Sequence, residues 1–488
     1  MKRNLFTLVI LLVSLTGQAQ LSGLTRVEAL PALVDADGQE IGHVMVKADE
    51  TIDVSARFVN VDERVTLLEL TLTARKDVEN PHVLLAFAHV EKPTWWMMPA
   101  TRYNGQDGNC ELQVVDGKPV RQLGIYSYQR MSILGAGYTE GIKNAVGTWT
   151  DEPCSSSVFV ASDAALHCLA WPEQDNPLGS RPWMIGDSLF TPKANIALKR
   201  GEQKVLRMYI CAIPAEPNRA AMGHFLRSVW KHAKGTKHSK PSGERPWESD
   251  KPALKAALDS LDQLLLQDWK SLEPRDLSDM AVGLFRASKL IAQRPEYREV
   301  ALDISRHLID EQYGDGVWGQ EGGYYVPVLL SAYEATRDET FLQAALKGYD
   351  PYMKEMRVGK ISSRATGDCW WWGRVERDSA YPLLQAALWL HRLMGEASYL
   401  TDAVLVSNFL STWLWHYGEG GGLSRRSPSS PQFDTEACRW IPEWLELARL
   451  TGDNQWQEKA EAIWEASARI TPREGMAWPV RLHLACSQ

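Results

Sequence analysis

The chain has 488 residues, 44% of them hydrophobic, with 53 Lys and Arg against 61 Asp and Glu for a formal net charge of −8. That is more chain than one core usually organises, so two domains are expected. An acidic balance without a basic block excludes nucleic acid as a partner, and after the first residues no apolar run is long enough to cross a bilayer, so no membrane insertion is expected.

Met1 to Ala19 reads as a secretory signal: Lys2 and Arg3 precede the apolar run Leu5 to Leu15, and Gly17-Gln18-Ala19 supplies small residues for cleavage. No Cys lies near the cut, so no lipid anchor is expected, and the mature protein is expected in the periplasm or secreted. The seven Cys (110, 154, 168, 211, 369, 438 and 486) form no CxxC. A zinc or redox site is therefore not expected, nor any cofactor. Cys154 and Cys168 flank a hairpin-like stretch and are the candidates for pairing.

Residues 20–215 have a period near two. Thr51 to Val59 and Arg64 to Thr73 alternate, Val83 to Ala88 is an apolar run suited to a strand covered on both faces, and Lys204 to Ile213 closes the series. Asp37-Gly38, Asp116-Gly117 and Arg200-Gly201 punctuate it, and a large antiparallel β-sandwich is predicted. Between strands lies HVEKPTWWMMPATRYNGQDGN (His89 to Asn109), expected to be a long loop. Trp95, Trp96 and Tyr103 in it are read either as substrate contacts or as packing. Residues 216–250 combine a helical pattern with a Pro-rich polar connection and read as a linker.

From residue 251 to 488 the period becomes about 3.6. Helices are predicted over 253–268, 276–292, 296–313, 324–337, 339–355, 379–394, 398–417, 435–450 and 455–470. Tight links (Thr336 to Glu339, Met394 to Ala397, Leu450 to Asn454) alternate with long ones (314–323, 356–375, 418–433). Helical hairpins with all long loops on one rim describe an α/α toroid, here an (α/α)6 toroid with a possibly incomplete last hairpin.

The long link and helix start GKISSRATGDCWWWGRVERDSAY (Gly359 to Tyr381) is the centre of the functional reading. Trp370, Trp371 and Trp372 cannot all enter one core, because consecutive side chains point different ways in any regular element. Exposed indoles beside carboxylates and guanidinium groups suit a carbohydrate: indole faces stack on pyranose C–H groups, carboxylates do acid/base work, and Arg reads negative charge. Trp318 and Tyr324 in GDGVWGQEGGYY, with Arg374 and Arg377, complete the expected substrate contacts. Asp378 and Asp434 precede helical runs, where capping is the simpler role. Less easily assigned to structure are Asp368, whose indole neighbours would raise its pKa towards that of a general acid, Glu376 between two Arg, and Glu321. Asp368 is read as the acid, with Glu376 or Glu321 as the base that activates water. Arg364, Arg374, Arg377, Arg425 and Arg426 in the rim loops would favour a uronic acid.

An exported sandwich followed by a helical toroid, with the WWMMPATRYNG, GDGVWGQEGGYY and GDCWWWGRVERDSAY segments, resembles the six-hairpin glycosidases, including the uronic-acid-cleaving hydrolases of Bacteroidetes. It also resembles α/α-toroid polysaccharide lyases. The resemblance implies a metal-free glycoside hydrolase acting on an oligosaccharide or polysaccharide. The alternatives are a lyase, with His89, Tyr103, Tyr324 or His416 as proton-abstracting base, and a non-catalytic glycan-binding protein.

Overall fold

The computed structural model describes residues 23–104, 113–115, 118–120, 125–160, 164–174, 196–233, 259, 262–263, 265, 268–272, 274–290, 294–318, 322–361, 375–417, 421–427 and 430–470. They fall into two compact units, the first built on the N-terminal 234 residues together with the described part of 425–432, the second on the rest of the C-terminal half.

The first unit is the expected antiparallel sandwich. One sheet carries β1 (Glu40–Ala48), β4 (Val83–His89), β10 (Ala165–Trp171) and β9 (Ser155–Val160), with the short strands Thr25–Arg26 and Leu33–Val34 beside β1. The other runs β2 (Ile52–Asn60), β3 (Val65–Ala74), β11 (Gln203–Pro214), β8 (Asn144–Trp149), β7 (Gly137–Glu140), β5 (Trp95–Met98), β6 (Arg102–Tyr103). Period-two patterning sends Leu68, Leu70 and Leu72 of β3 and Leu206, Met208 and Ile210 of β11 into one core with Val44, Leu85, Phe87 and Leu169 of the facing sheet. Each such buried aliphatic or aromatic side chain stabilises the fold by roughly 1.5–3 kcal/mol. In β4 the alternate residues Leu84, Ala86 and Ala88 enter a second cluster with Leu166 and Phe159. This is why that strand reads as an unbroken apolar run.

The segment expected as a loop after His89 instead holds β5 and β6. Trp-Trp-Met-Met lacks alternation because both faces of β5 are covered. Trp96 and Met98 pack with Tyr126, Met131 and Val158, while Trp95 lies under the Arg219 guanidinium, 4.6 Å from the ring centroid, and edge-on to Tyr138. The helix α1 (Ala220–Ala233), expected as a linker, packs on β8 and β11. Gly147 makes room for it: a Cβ there would stand 2.0 Å from the Phe225 ring. The buried polar groups of the sandwich include a chain in which His89 Nδ1 lies 2.8 Å from Thr139 Oγ1, Thr139 Oγ1 lies 2.9 Å from His167 Nε2, and His167 Nδ1 lies 3.0 Å from Thr148 Oγ1. Cys154 and Cys168, the pairing candidates, are separate buried thiols. Burial raises both, Cys154 to about 12.

The second unit is the α/α-hairpin domain. Helices α2 (Pro274–Leu290) and α3 (Pro295–Asp310), α4 (Tyr325–Thr336) and α5 (Glu339–Arg357), α6 (Arg377–Met394) and α7 (Ala397–Ser411), and α8 (Ile441–Thr451) and α9 (Asn454–Ile470) form four hairpins among the described residues. The first helix of each hairpin packs on the first helix of the next, α2 on α4, α4 on α6 and α6 on α8. The tight links share one device, a residue in left-handed backbone after the first helix: Arg337 at φ 61°, Gly395 at φ 72° and Gly452 at φ 68°. The 398–417 helix ends early, at Ser411, and the link after it contains a hairpin, β12 (Ser424–Ser427) with β13 (Ser430–Asp434). The helix expected over 435–450 is split into a 3-10 turn, Glu436–Trp440, and α8, with Pro442, which lacks an N–H, in the first turn of α8. Among the described residues no helix is long and apolar enough to cross a membrane. The expected signal segment and the tail after 470 lie outside the described residues.

Candidate functional site

Three long links lead into α4, α6 and the 3-10 turn before α8, and the starts of these elements meet the start of α2. Arg275, in the first turn of α2, pairs with Glu436 at 2.6 Å and approaches Asp378 at 3.7 Å. Arg377 of α6 holds Asp378 at 2.8 Å and Asp434, at the end of β13, at 2.9 Å. Arg439 holds Glu436 at 3.1 Å and pairs with Asp279, one turn further along α2. Residues far apart in sequence are thereby drawn into one charged rim.

Local chemistry explains each position. Glu376 and Ser379 form a capping box at the start of α6, with Ser379 Oγ accepting from Glu376 N at 2.9 Å. Asp378 stands inside the first turn, where a carboxylate is favoured by the helix dipole. It does not cap; it pairs with Arg377 and Arg275. Asp434 Oδ1 accepts from Glu436 N at 3.2 Å and from Ser424 Oγ, so capping does describe part of its role.

Burial works against the charges of Arg377 and Arg439, yet surrounding carboxylates hold both guanidinium groups above their ordinary range. Asp279 is pushed up, because burial outweighs Arg439 and Arg275. The Tyr324 phenol, in the turn before α4, is raised well above its usual value by burial and then by Asp378 and Glu376. It stays neutral.

Of the residues read from sequence, the rim gathers Tyr324, Glu376 and Arg377. Trp318 is half-buried, its Nε1 donating to Leu308 O at 2.6 Å and its ring edge-on to Tyr325. Trp95, Trp96 and Tyr103 are buried within the sandwich. Arg425 is buried, and its guanidinium donates to Gln129 O. Asp368, Trp370, Trp371, Trp372, Arg374, Arg364 and Glu321 lie outside the described residues, as does the Arg426 side chain. Sequence reading missed Arg275, Asp279, Glu436 and Arg439. Their signal was charge on the same helical face as apolar contacts, Arg275 and Asp279 one turn apart.

No protein-family model matches the chain, and no curated protein sequence matches it. Solved structures similar to it include a polysaccharide lyase, 11% identical with a TM-score of 0.34 over 89% of this chain and 82% of that one. A family 76 α-mannanase of Bacteroides thetaiotaomicron is 12% identical, TM-score 0.35, over 48% of this chain and 75% of its own. A family 81 glycoside hydrolase from Clostridium thermocellum is 9% identical, TM-score 0.26, over 91% and 80%. These are glycan-acting enzymes, the class the sequence resembles. At such identities and TM-scores they assign neither substrate nor catalytic residue to this chain.

Proposed function

We propose that the chain is an exported glycoside hydrolase that cleaves an oligosaccharide at the rim formed by the starts of α2, α4, α6 and the turn before α8. The observation that carries this is the meeting of Glu376, Asp378, Asp434, Glu436 and Tyr324 in one network of ion pairs and neighbouring charges. In the sequence, Asp368 and the three indoles precede Val375 and Glu376 by only a few residues. Hydrolysis needs two carboxyl groups in different environments across the scissile bond. Asp368 is proposed as the acid, with Glu376 or Glu321 as the base; the indole triplet would stack on the sugar.

Hydrolysis is favoured over elimination by the state of the candidate bases. His89 and His416 are buried and depressed, to about 4 and about 3, by desolvation first. Imidazoles so weakly basic are poor at taking a proton from carbon. Tyr324 is held as a neutral phenol, and Tyr103 is buried. A uronate is not supported by the rim cations, since Arg275, Arg377 and Arg439 each already face carboxylates.

The test is a broad oligosaccharide panel read for new reducing ends and for ultraviolet absorbance of a new C=C bond. Reducing ends without absorbance are expected, and Asp368→Asn and Glu376→Gln should each lower turnover by about 10²-fold or more. Absorbance would mean a lyase, binding without cleavage a glycan-binding protein, and full turnover by both variants a misplaced site.

A further inference from the structure

Further along the same helices, a cavity of about 210 Å³ lies among α2, α4, α6 and α8. Its lining includes Arg286, Lys289, Glu334, Gln385, Trp389 and Glu443. Tyr381 separates it from the rim: its ring lies under Arg439, 4.9 Å from guanidinium carbon to ring centroid, and its hydroxyl reaches Glu443 Oε1 at 3.4 Å.

Two of the cations in this cavity are matched internally. Lys289 Nζ donates to Glu334 at 2.8 Å, and Arg392 donates to Glu446 at 2.6 Å. Trp389 Nε1 donates to the other oxygen of Glu334 at 2.6 Å. Glu443 is different. Its Oε1 accepts from Gln385 Nε2 at 2.9 Å, while its Oε2 is buried with no protein hydrogen-bond partner. The residue is 9% exposed and lines the cavity. A buried oxygen left unpaired is unfavourable, and a ligand hydroxyl would satisfy it.

We propose that this cavity is a second binding site, for a neutral, hydroxyl-rich ligand about the size of one sugar ring, with Glu443 as its central hydrogen-bonding group. The volume is below the roughly 300–1,000 Å³ of clefts that take drug-sized ligands, so the occupant is small. Lys289 and Arg392 are already neutralised and the charge of Arg286 acts on Glu443 itself, so the site selects for hydroxyls over charge. Carboxylate, amide and indole N–H groups around one space offer donors and acceptors in several directions, as a ring of hydroxyls requires. Burial pushes the Glu443 carboxyl up, with Gln385 and Arg286 opposing. The inference stands apart from the assignment of hydrolysis to the rim.

Calorimetric titration of the full chain with glucose, galactose, mannose and glucuronate tests it, with circular dichroism to verify folding of each variant. At least one neutral hexose should bind with one-to-one stoichiometry, and glucuronate more weakly. Glu443→Ala and Trp389→Ala should each weaken that hexose by about tenfold, the scale of one hydrogen bond. Asp378→Asn, at the rim, should leave it unchanged. Should either cavity variant fail to fold, the other carries the result. No binding by any neutral hexose, tighter binding of glucuronate, or affinity unmoved in the folded cavity variants overturns the proposal. None of these outcomes depends on whether the rim cleaves a glycan.

Discussion

In the sandwich, β4 sends Val83, Leu85 and Phe87 into one apolar cluster and Leu84, Ala86 and Ala88 into another, and its buried polar groups include a short chain of His and Thr. In the helical unit the helices that pack on one another turn Arg275, Asp279, Arg286 and Lys289 of α2, and Tyr381, Gln385 and Trp389 of α6, towards a shared charged interior. Apolar filling secures one fold cheaply. Buried ion pairs contribute little net stability and are strongly destabilising when half broken, so the pairs of Arg377 and Arg439 hold the helix starts in one arrangement more than they strengthen the fold.

The largest expected effect sharpens the apolar side. Phe87→Ala should lower the unfolding free energy by about 3–5 kcal/mol in denaturant titrations, and a loss below about 1 kcal/mol would show the sandwich core to be loosely packed. On the charged side, Arg439→Ala removes the ion-pair partner of Asp279 and leaves Glu436 to Arg275 alone, and should cost about 3 kcal/mol. Were it as mild as an exposed pair, under about 1 kcal/mol, the two interiors would not differ as described. The smallest effect is one of pH. His89 is held down to about 4 in the fold against an ordinary value of 6.5, burial being the cause. The unfolded chain therefore binds the extra proton first, and stability present above pH ~6.5 is lost as pH falls towards the folded value. Between pH ~6.5 and ~5.5 this should amount to about 1 kcal/mol, and His89→Gln should reduce the slope of the stability-versus-pH curve there by that amount, the buried His167 and His416 supplying more of it.

The hairpin domain was legible because amphipathic helices of this length carry a strong period and the links end at Gly395 and Gly452, where left-handed backbone is least strained. The sandwich was legible through the alternation of β2 and β3. What sequence could not reveal depends on partners distant in the chain. Trp95 and Trp96 look like binding aromatics until the neighbouring strand and Arg219 cover them. Arg439 and Glu443 look like ordinary helical surface charges until α2 and α6 lie opposite them. Glu376 was singled out for its two Arg neighbours, whereas its capping role depended on Ser379, a pairing that the spacing Glu-x-x-Ser inverts from the usual order. Pro442 was a local signal within reach, and it marks where the helix restarts.

Tyr381 is a wall shared by two chambers. Its ring braces a guanidinium on one side, and its hydroxyl meets a carboxyl on the other. Trimmed to a small side chain, it would let water and ions pass from the rim to Glu443, and the burial that holds that carboxyl above its ordinary range would be lost.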